Sequence, residues 1–387
     1  MEVLVVGCGF AGSVIARFLA EECNKKVLIV DKRDHIAGNM YDFVDENGIL
    51  VQKYGPHIFH TNQKHLYDYV IKYGEWNEYY LNCMAYMEEQ FTPSPFNFAT
   101  IDQYYTEDNA AELKERILKY YNNAEKATIL ELLECKDEMI KEYAQFLYDK
   151  DYSLYTAKQW GISPDEIDKE VLRRVPVVFS YKTGYFDDKY QCMPKNGFTS
   201  FFSKILEHKN IEVRLNTNAK SIIDIKNDKI YIDGKETTVP VIYSGALDEL
   251  LDYEFGLLPY RSLRFEYITK DVDSHQPAPV VAYPQVSDFT RITEYKKLNV
   301  QNQPKDKTTI AVEYPLKYTL DSESEPYYPI LTEENVRQYN LYWEQLSKIE
   351  NLFICGRLAD FKYYNMDQIL DRSLQVCEEI KSYLQRV

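Results

Sequence analysis

No stretch of this chain is apolar over the roughly 20 residues that a membrane-spanning helix requires. The first strand-like run begins at Val3, so the reading expects no signal peptide and no membrane insertion. Basic residues are in deficit: 45 Lys and Arg face 61 Asp and Glu, a net charge of -16. Such a balance excludes nucleic acid or an anionic membrane as the main partner, while leaving room for a local basic pocket. The seven cysteines are scattered and form no C-x-x-C pair, and they read as reduced thiols of a cytoplasmic protein. There is no serine nucleophile elbow, no H-E-x-x-H, no P-loop, no internal repeat and no low-complexity segment. Protein side chains therefore offer few groups for acid–base catalysis. Tyrosine is in excess at 35 residues. It suits a sugar or nucleotide pocket, since the ring stacks and the hydroxyl hydrogen-bonds, although compositional drift explains most of it.

What is present is concentrated at the N-terminus. VLVVGCGFAGSVIARFLAE is followed by KKVLIVDKR, an apolar strand, a glycine turn, a helix and a second strand ending at Asp31. This is the G-x-G-x-x-G dinucleotide fingerprint in its expected setting. Gly7 allows the turn, Gly9 permits close approach of a pyrophosphate, and Gly12 lets helix and strand pack. The helix opening at Phe10 and Ala11 turns its positive end to the phosphates. Asp31 is placed to accept from a ribose. Gly38 and Asn39 continue the turn region. Late in the chain NLFICGRLADF at 351–361 reads as strand, glycine and helix returning to the first domain. That return favours FAD over NAD.

A chain of 387 residues is too long for one compact core. The expected fold class is α/β, a Rossmann-like FAD-binding domain with a helical insertion domain and an antiparallel β-sheet domain. Residues 1–75, 201–257 and 339–387 form the discontinuous FAD-binding part. Residues 76–171 are mainly helical, from a period near 3.6 with charged outer faces, and 62–85 reads as a helix. Residues 172–200 and 258–338 alternate apolar and polar text with frequent Pro, as an antiparallel sheet does.

Several segments carry candidate chemistry. GPHIFHT at 55–61 places His57 and His60 three apart. Carboxylate or cysteine companions for zinc are absent nearby, so no metal site is expected. At a turn against a flavin both rings can meet the cofactor edge and a substrate; a pair of buried, hydrogen-bonded histidines is the rival for His57. YTAKQWG at 155–161 offers Tyr155 and Trp160, whose flat rings suit a sugar or base as well as a core. Arginines at 173–174, 261 and 291 stand within apolar strand-like text. A buried guanidinium needs an anion, either a structural carboxylate or a diphosphate read by bidentate contacts.

Taken together, GPHIFHT, PFNF, YTAKQWG, RRVPV, GYF with Q-x-x-P-x-x-GF, LPYRSL, FTRITEYK, EPYYPI and GRLADFKYYNMD resemble the bacterial UDP-galactopyranose mutases nearly end to end. The resemblance implies an FAD isomerase that interconverts UDP-galactopyranose and UDP-galactofuranose with no net redox change. Reduced-flavin N5 bonds the anomeric carbon, and the hard rearrangement is split into easier steps. It also implies an external reductant, NAD(P)H, a homodimer, and a product destined for cell-surface polysaccharide. By matched position, Arg174 and Arg291 clamp the diphosphate and His60 lies against the flavin near the sugar; these are the catalytic candidates. Tyr155 and Trp160 fall on the uridine side, on a mobile loop. Tyr185, Tyr328 and Tyr363 contact the diphosphate, and Arg261 lies near the active site. FAD contacts are implied at Gly7, Gly9, Phe10, Ala11, Gly12, Asp31, Lys32, Gly38, Asn39, His57, Gly356, Arg357 and Asp367.

Three departures stand out. Asp31 replaces a Glu, Asn365 replaces an Asp at a substrate-binding position, and PVVF at 176–179 lacks a basic residue. Relatives that accept UDP-N-acetylgalactosamine vary near the flavin-side histidine, and His60 favours plain galactose. The alternatives are a mutase that also takes the N-acetylated sugar, and a net-redox flavin oxidoreductase of similar fold.

Overall fold

The computed structural model describes residues 1–160, 172, 175–298, 304–320 and 324–386. Its organising element is a five-stranded parallel sheet in the order Ile211–Arg214, Val27–Val30, Val3–Val6, Val241–Tyr243, Leu352–Ile354. Each pair runs parallel, with Val6 beside Val30 on one side and Tyr243 on the other. VLVV and VLIV are buried throughout, as expected of strands covered on both faces. The helices Phe10–Glu21, Phe198–Leu206 and Met366–Leu384 cover one face. Residues of 219–260 and the helix Glu333–Leu346 cover the other. The sheet thus assembles strands from the start, middle and end of the sequence.

The second large sheet has seven strands in the order Tyr328–Pro329, Tyr260–Lys270, Thr308–Lys317, Arg291–Glu294, Val280–Ala282, Cys83–Met87, Gln90–Ser94. All neighbours are antiparallel except Val280–Ala282 with Cys83–Met87. The helices between Phe98 and Trp160 pack a separate core around Leu113, Ile117, Ile140 and Tyr143.

Local readings and structure differ at three places. The helix expected over 62–85 spans only Lys64–Ile71, burying Leu66 and Val70. Gly74, at φ 138, ends the run. Beyond it the hairpin at 83–94, placed with the helices in the sequence reading, pairs into the seven-stranded sheet. Within 172–200, Tyr190–Pro194 instead joins Phe59–Thr61 and Trp76–Glu78 in a small sheet. That small sheet positions His60.

Candidate active site

Two cavities meet along a shared wall. The first runs along the carboxyl ends of the parallel strands, where ligands of open α/β sheets bind. Gly7, Gly9, Phe10, Ala11, Asp31, Lys32, Gly38, Asn39, Gly356 and Arg357 line it. The backbone explains the glycines. Gly7 sits at φ +99, and a Cβ there would lie 2.0 Å from Ser244 Oγ. Gly38 sits at φ +56, and a Cβ there would lie 2.8 Å from Gly9 Cα. Two backbones thus touch where a side chain would obstruct a pyrophosphate, beside the first turn of Phe10–Glu21. Asp31 takes the Cys8 N–H on Oδ2 at 2.7 Å and the Arg33 N–H on Oδ1 at 2.9 Å. Both oxygens retain acceptor capacity for a ribose. Lys32 pairs with Glu249 across the groove at 3.2 Å, and Arg33 pairs with both Asn39 and Glu325. These residues fit a dinucleotide.

Two expected cofactor residues stand elsewhere. Gly12 is a packing residue: its Cβ would meet Gly7 O at 1.9 Å. Asp367 is outside the cavity wall, and its Oδ1 accepts the Gln368 N–H at 2.8 Å in the first turn of the last helix. Met366 and Ile369, its neighbours on the helix, line the groove instead.

The second cavity shares His57, Arg357, Asn365 and Met366 with the first. Beyond that seam it is walled by His60, Tyr155, Tyr185, Arg261, Arg291, Tyr328 and Tyr363. Residues scattered over more than 300 positions of sequence therefore line one cavity. Tyr328 and Tyr363 stack at 4.9 Å and 13°. The guanidinium groups of Arg357 and Arg261 lie 4.7 and 5.2 Å from the Tyr328 ring. Arg357 Nη2 donates to Tyr364 O at 2.8 Å, which fixes its reach. Arg291 is anchored on Glu313, whose side chain is 3% exposed.

His57 follows the turn at Gly55. Its N–H meets Gln52 Oε1 at 2.5 Å and its Nδ1 meets Gly55 O at 2.8 Å. Burial, and after it the nearby Arg357, lower its pKa to about 4, so the ring is neutral. Nδ1–H donates to the carbonyl, and Nε2 is an acceptor. Asn365 caps the last helix, where its N–H donates to Gln368 Oε1 at 2.8 Å. A neutral amide thus lies at the seam. Arg174 lies outside the described residues, as does the side chain of Trp160; the latter ends the helix Ser153–Trp160.

Sequence reasoning missed Asp151, Thr156, Gln159 and Glu313 in the second cavity and Glu325 in the first. Asp151 belongs to the π-helical turn Tyr148–Tyr152, and burial raises its pKa to about 7. Glu313 left one readable signal, an acid inside the apolar strand text TTIAVEYP. Asp151, in the polar run YDKDYS, left none. Among the described residues there is no cluster that could hold a metal ion, and no helix long and apolar enough to cross a membrane.

Fold and site define a class: a Rossmann-type enzyme whose dinucleotide groove opens into an arginine- and tyrosine-lined cavity. A family model for UDP-galactopyranose mutase matches residues 150–363, and one for an NAD(P)-binding Rossmann-like domain matches residues 5–73. The UDP-galactopyranose mutase of Mycoplasma genitalium is 34% identical, covering 98% of this chain and 95% of that protein. The dTDP-fucopyranose mutase of Escherichia coli is 35% identical, covering 97% of each. The crystal structure of reduced UDP-galactopyranose mutase shares the fold at a TM-score of 0.71 and 15% identity, covering 99% of this chain and 96% of that one. The chain belongs to the UDP-galactopyranose mutase family, and it is accordingly an isomerase.

Proposed function

We propose that this protein interconverts UDP-galactopyranose and UDP-galactofuranose with FAD held in the first cavity. The observation that supports this most is the seam: the dinucleotide groove and the arginine–tyrosine cavity share His57, Arg357, Asn365 and Met366. A nucleotide sugar with its diphosphate among Arg291, Arg261 and the tyrosines presents its sugar to that seam. When bound, reduced flavin supplies the nucleophile for the anomeric carbon with no net electron transfer. The protein's part is positional. Arg291 spends its Nε and Nη2 on Glu313, which turns the Nη1 edge to the diphosphate. The stacked hydroxyl-bearing pair Tyr328 and Tyr363 adds donors without adding charge. Together they hold UDP while its bond to the sugar is broken and remade. Arg174 completes the clamp by its motif position.

Nothing in the diphosphate clamp requires the hydroxyl at the sugar's sixth carbon that galactose carries and fucose lacks. The E. coli relative acting on dTDP-fucopyranose, by its name, makes that nucleotide sugar the second substrate to assay. An external reductant, NAD(P)H, would keep the flavin active, and the working form is a cytoplasmic homodimer. The test is purified protein with dithionite and UDP-galactofuranose, products resolved by chromatography, alongside UDP-N-acetylgalactosamine and dTDP-fucopyranose. Conversion of the galactose substrate only under reducing conditions supports the reading. Bound, reduced FAD with no conversion of any sugar refutes it.

A further inference from the structure

His60 is held on two sides. The strand Phe59–Thr61 pairs antiparallel with Tyr190–Pro194, which sets His60 opposite Gln191. One ring face stacks on Phe186 at 3.7 Å and 14°. Nδ1 lies 2.8 Å from Asp188 Oδ2. Among the described residues Nε2 has no hydrogen-bond partner, and His60 and Phe186 both line the second cavity.

Asp188 is itself fixed, just before the strand that pairs with His60. Its Oδ1 accepts from Asn62 Nδ2 at 2.7 Å, and its backbone carbonyl accepts from Gln191 Nε2 at 2.9 Å. Asn62 in turn accepts the Lys189 N–H at 2.9 Å. Both sides of the small sheet therefore contribute to one network whose centre is the Asp188 carboxylate. A carboxylate only accepts, so Nδ1 of His60 carries a proton, and of the two neutral tautomers the one compatible with this contact leaves Nε2 as an acceptor.

We propose that Asp188 is a positioning residue that fixes His60 in the Nδ1–H tautomer, so that Nε2 accepts a hydrogen bond from a hydroxyl of the bound sugar. This rests on the reading of the second cavity as the nucleotide-sugar site. His57, three residues away, lies at the seam, so the His60 end of the cavity is where the sugar, and not the base, is expected. Without Asp188 nothing in the network selects that tautomer. The ring can then present a donor where the hydroxyl needs an acceptor.

Long-range nitrogen–proton spectra of histidine-labelled holoenzyme, which contains six histidines, report the tautomer directly. The expected result is His60, assigned by its loss in H60Q, with a protonated Nδ1 and a bare Nε2. The Nε2–H form in the unsubstituted protein would overturn the proposal, whatever the variants do. Kinetics with dithionite-reduced enzyme give the second readout. D188A is expected to lower kcat/KM about tenfold, the loss of one well-placed hydrogen bond. In an H60Q background the same substitution is expected to cost little, because Asp188 acts through His60. An equal loss in both backgrounds would reveal a merely structural role and overturn the proposal. Failure of the reduced, unsubstituted enzyme to convert any nucleotide sugar would instead remove the functional reading and leave the tautomer result standing.

Discussion

Arg291 and Glu313 form a two-pronged ion pair, with Nε at 2.8 Å and Nη2 at 2.7 Å from the same carboxylate oxygen. They face each other across adjacent antiparallel strands, in register. Thr290 Oγ1 also donates to Glu313, at 3.1 Å from Oε1. A cation left in this site without its carboxylate would be uncompensated, since Glu313 is almost wholly buried. We therefore expect Glu313→Leu to destabilise the protein by roughly 3 kcal/mol, read as a lower denaturation midpoint in urea at unchanged slope.

Arg291 lines the second cavity and not the first, whereas Arg357 lines both. Arg291→Ala should abolish turnover while the flavin absorption spectrum of the purified protein is unchanged. Arg357→Ala should lower FAD occupancy as well as turnover. Substantial residual activity in Arg291→Ala would remove it from the clamp.

Gly38→Ala should weaken FAD retention while the apoprotein still folds. The substitution strains a residue at φ +56 and drives a methyl to within 2.8 Å of Gly9 Cα. Backbone strain of this kind costs about 1–3 kcal/mol; relaxed in the apoprotein and restored on binding, it lowers FAD affinity by a factor of roughly 5 to 150. Equilibrium dialysis against FAD measures it.

His57 predicts a pH dependence of apoprotein stability. Its folded pKa is about 4 against an ordinary 6.5. Between those values the unfolded chain binds the proton more readily, so stability rises with pH across that window. The full contribution is present above pH 6.5 and is lost as the pH falls through 4. His57→Gln should flatten this part of the profile by roughly 3 kcal/mol, measured as unfolding free energy against pH.

Lys158 ties the helix Ser153–Trp160 to the opposite rim. Its Nζ lies 2.6, 3.2 and 2.5 Å from the carbonyls of Tyr283, Pro284 and Val286. Tyr155, Thr156 and Gln159 of the same helix line the second cavity. Lys158→Met removes one donor from three carbonyls, of which only Tyr283 O keeps another, the Val286 N–H. We expect KM to rise several-fold with kcat nearly unchanged, since about 1–2 kcal/mol of hydrogen bonding is lost from positioning alone.

Much of this was legible in the chain. VGCGFAG and Asp31 specify a dinucleotide groove because the turn, the close backbone approach and the helix start are all local properties of a few adjacent residues. The flavin-family motifs likewise marked Arg291, His60, Tyr155, Tyr328 and Tyr363, and the structure brings all five to one cavity. The hairpin at 83–94 was less legible, because its pairing partner is Val280–Ala282, nearly two hundred residues away.

What tertiary structure alone decided are the partners of those residues. Glu313 beside Arg291, Asp188 beside His60 and Asp151 in the cavity wall are acids in an acidic chain. Glu313 stands out only as an acid within apolar strand text, and nothing in the immediate neighbours of Asp188 and Asp151 distinguishes them from the other carboxylates. Their roles arise from strand register and burial: pairing of distant strands puts Glu313 and Asp188 within hydrogen-bond reach of their partners, burial alone sets Asp151 apart, and exclusion of water makes each environment matter.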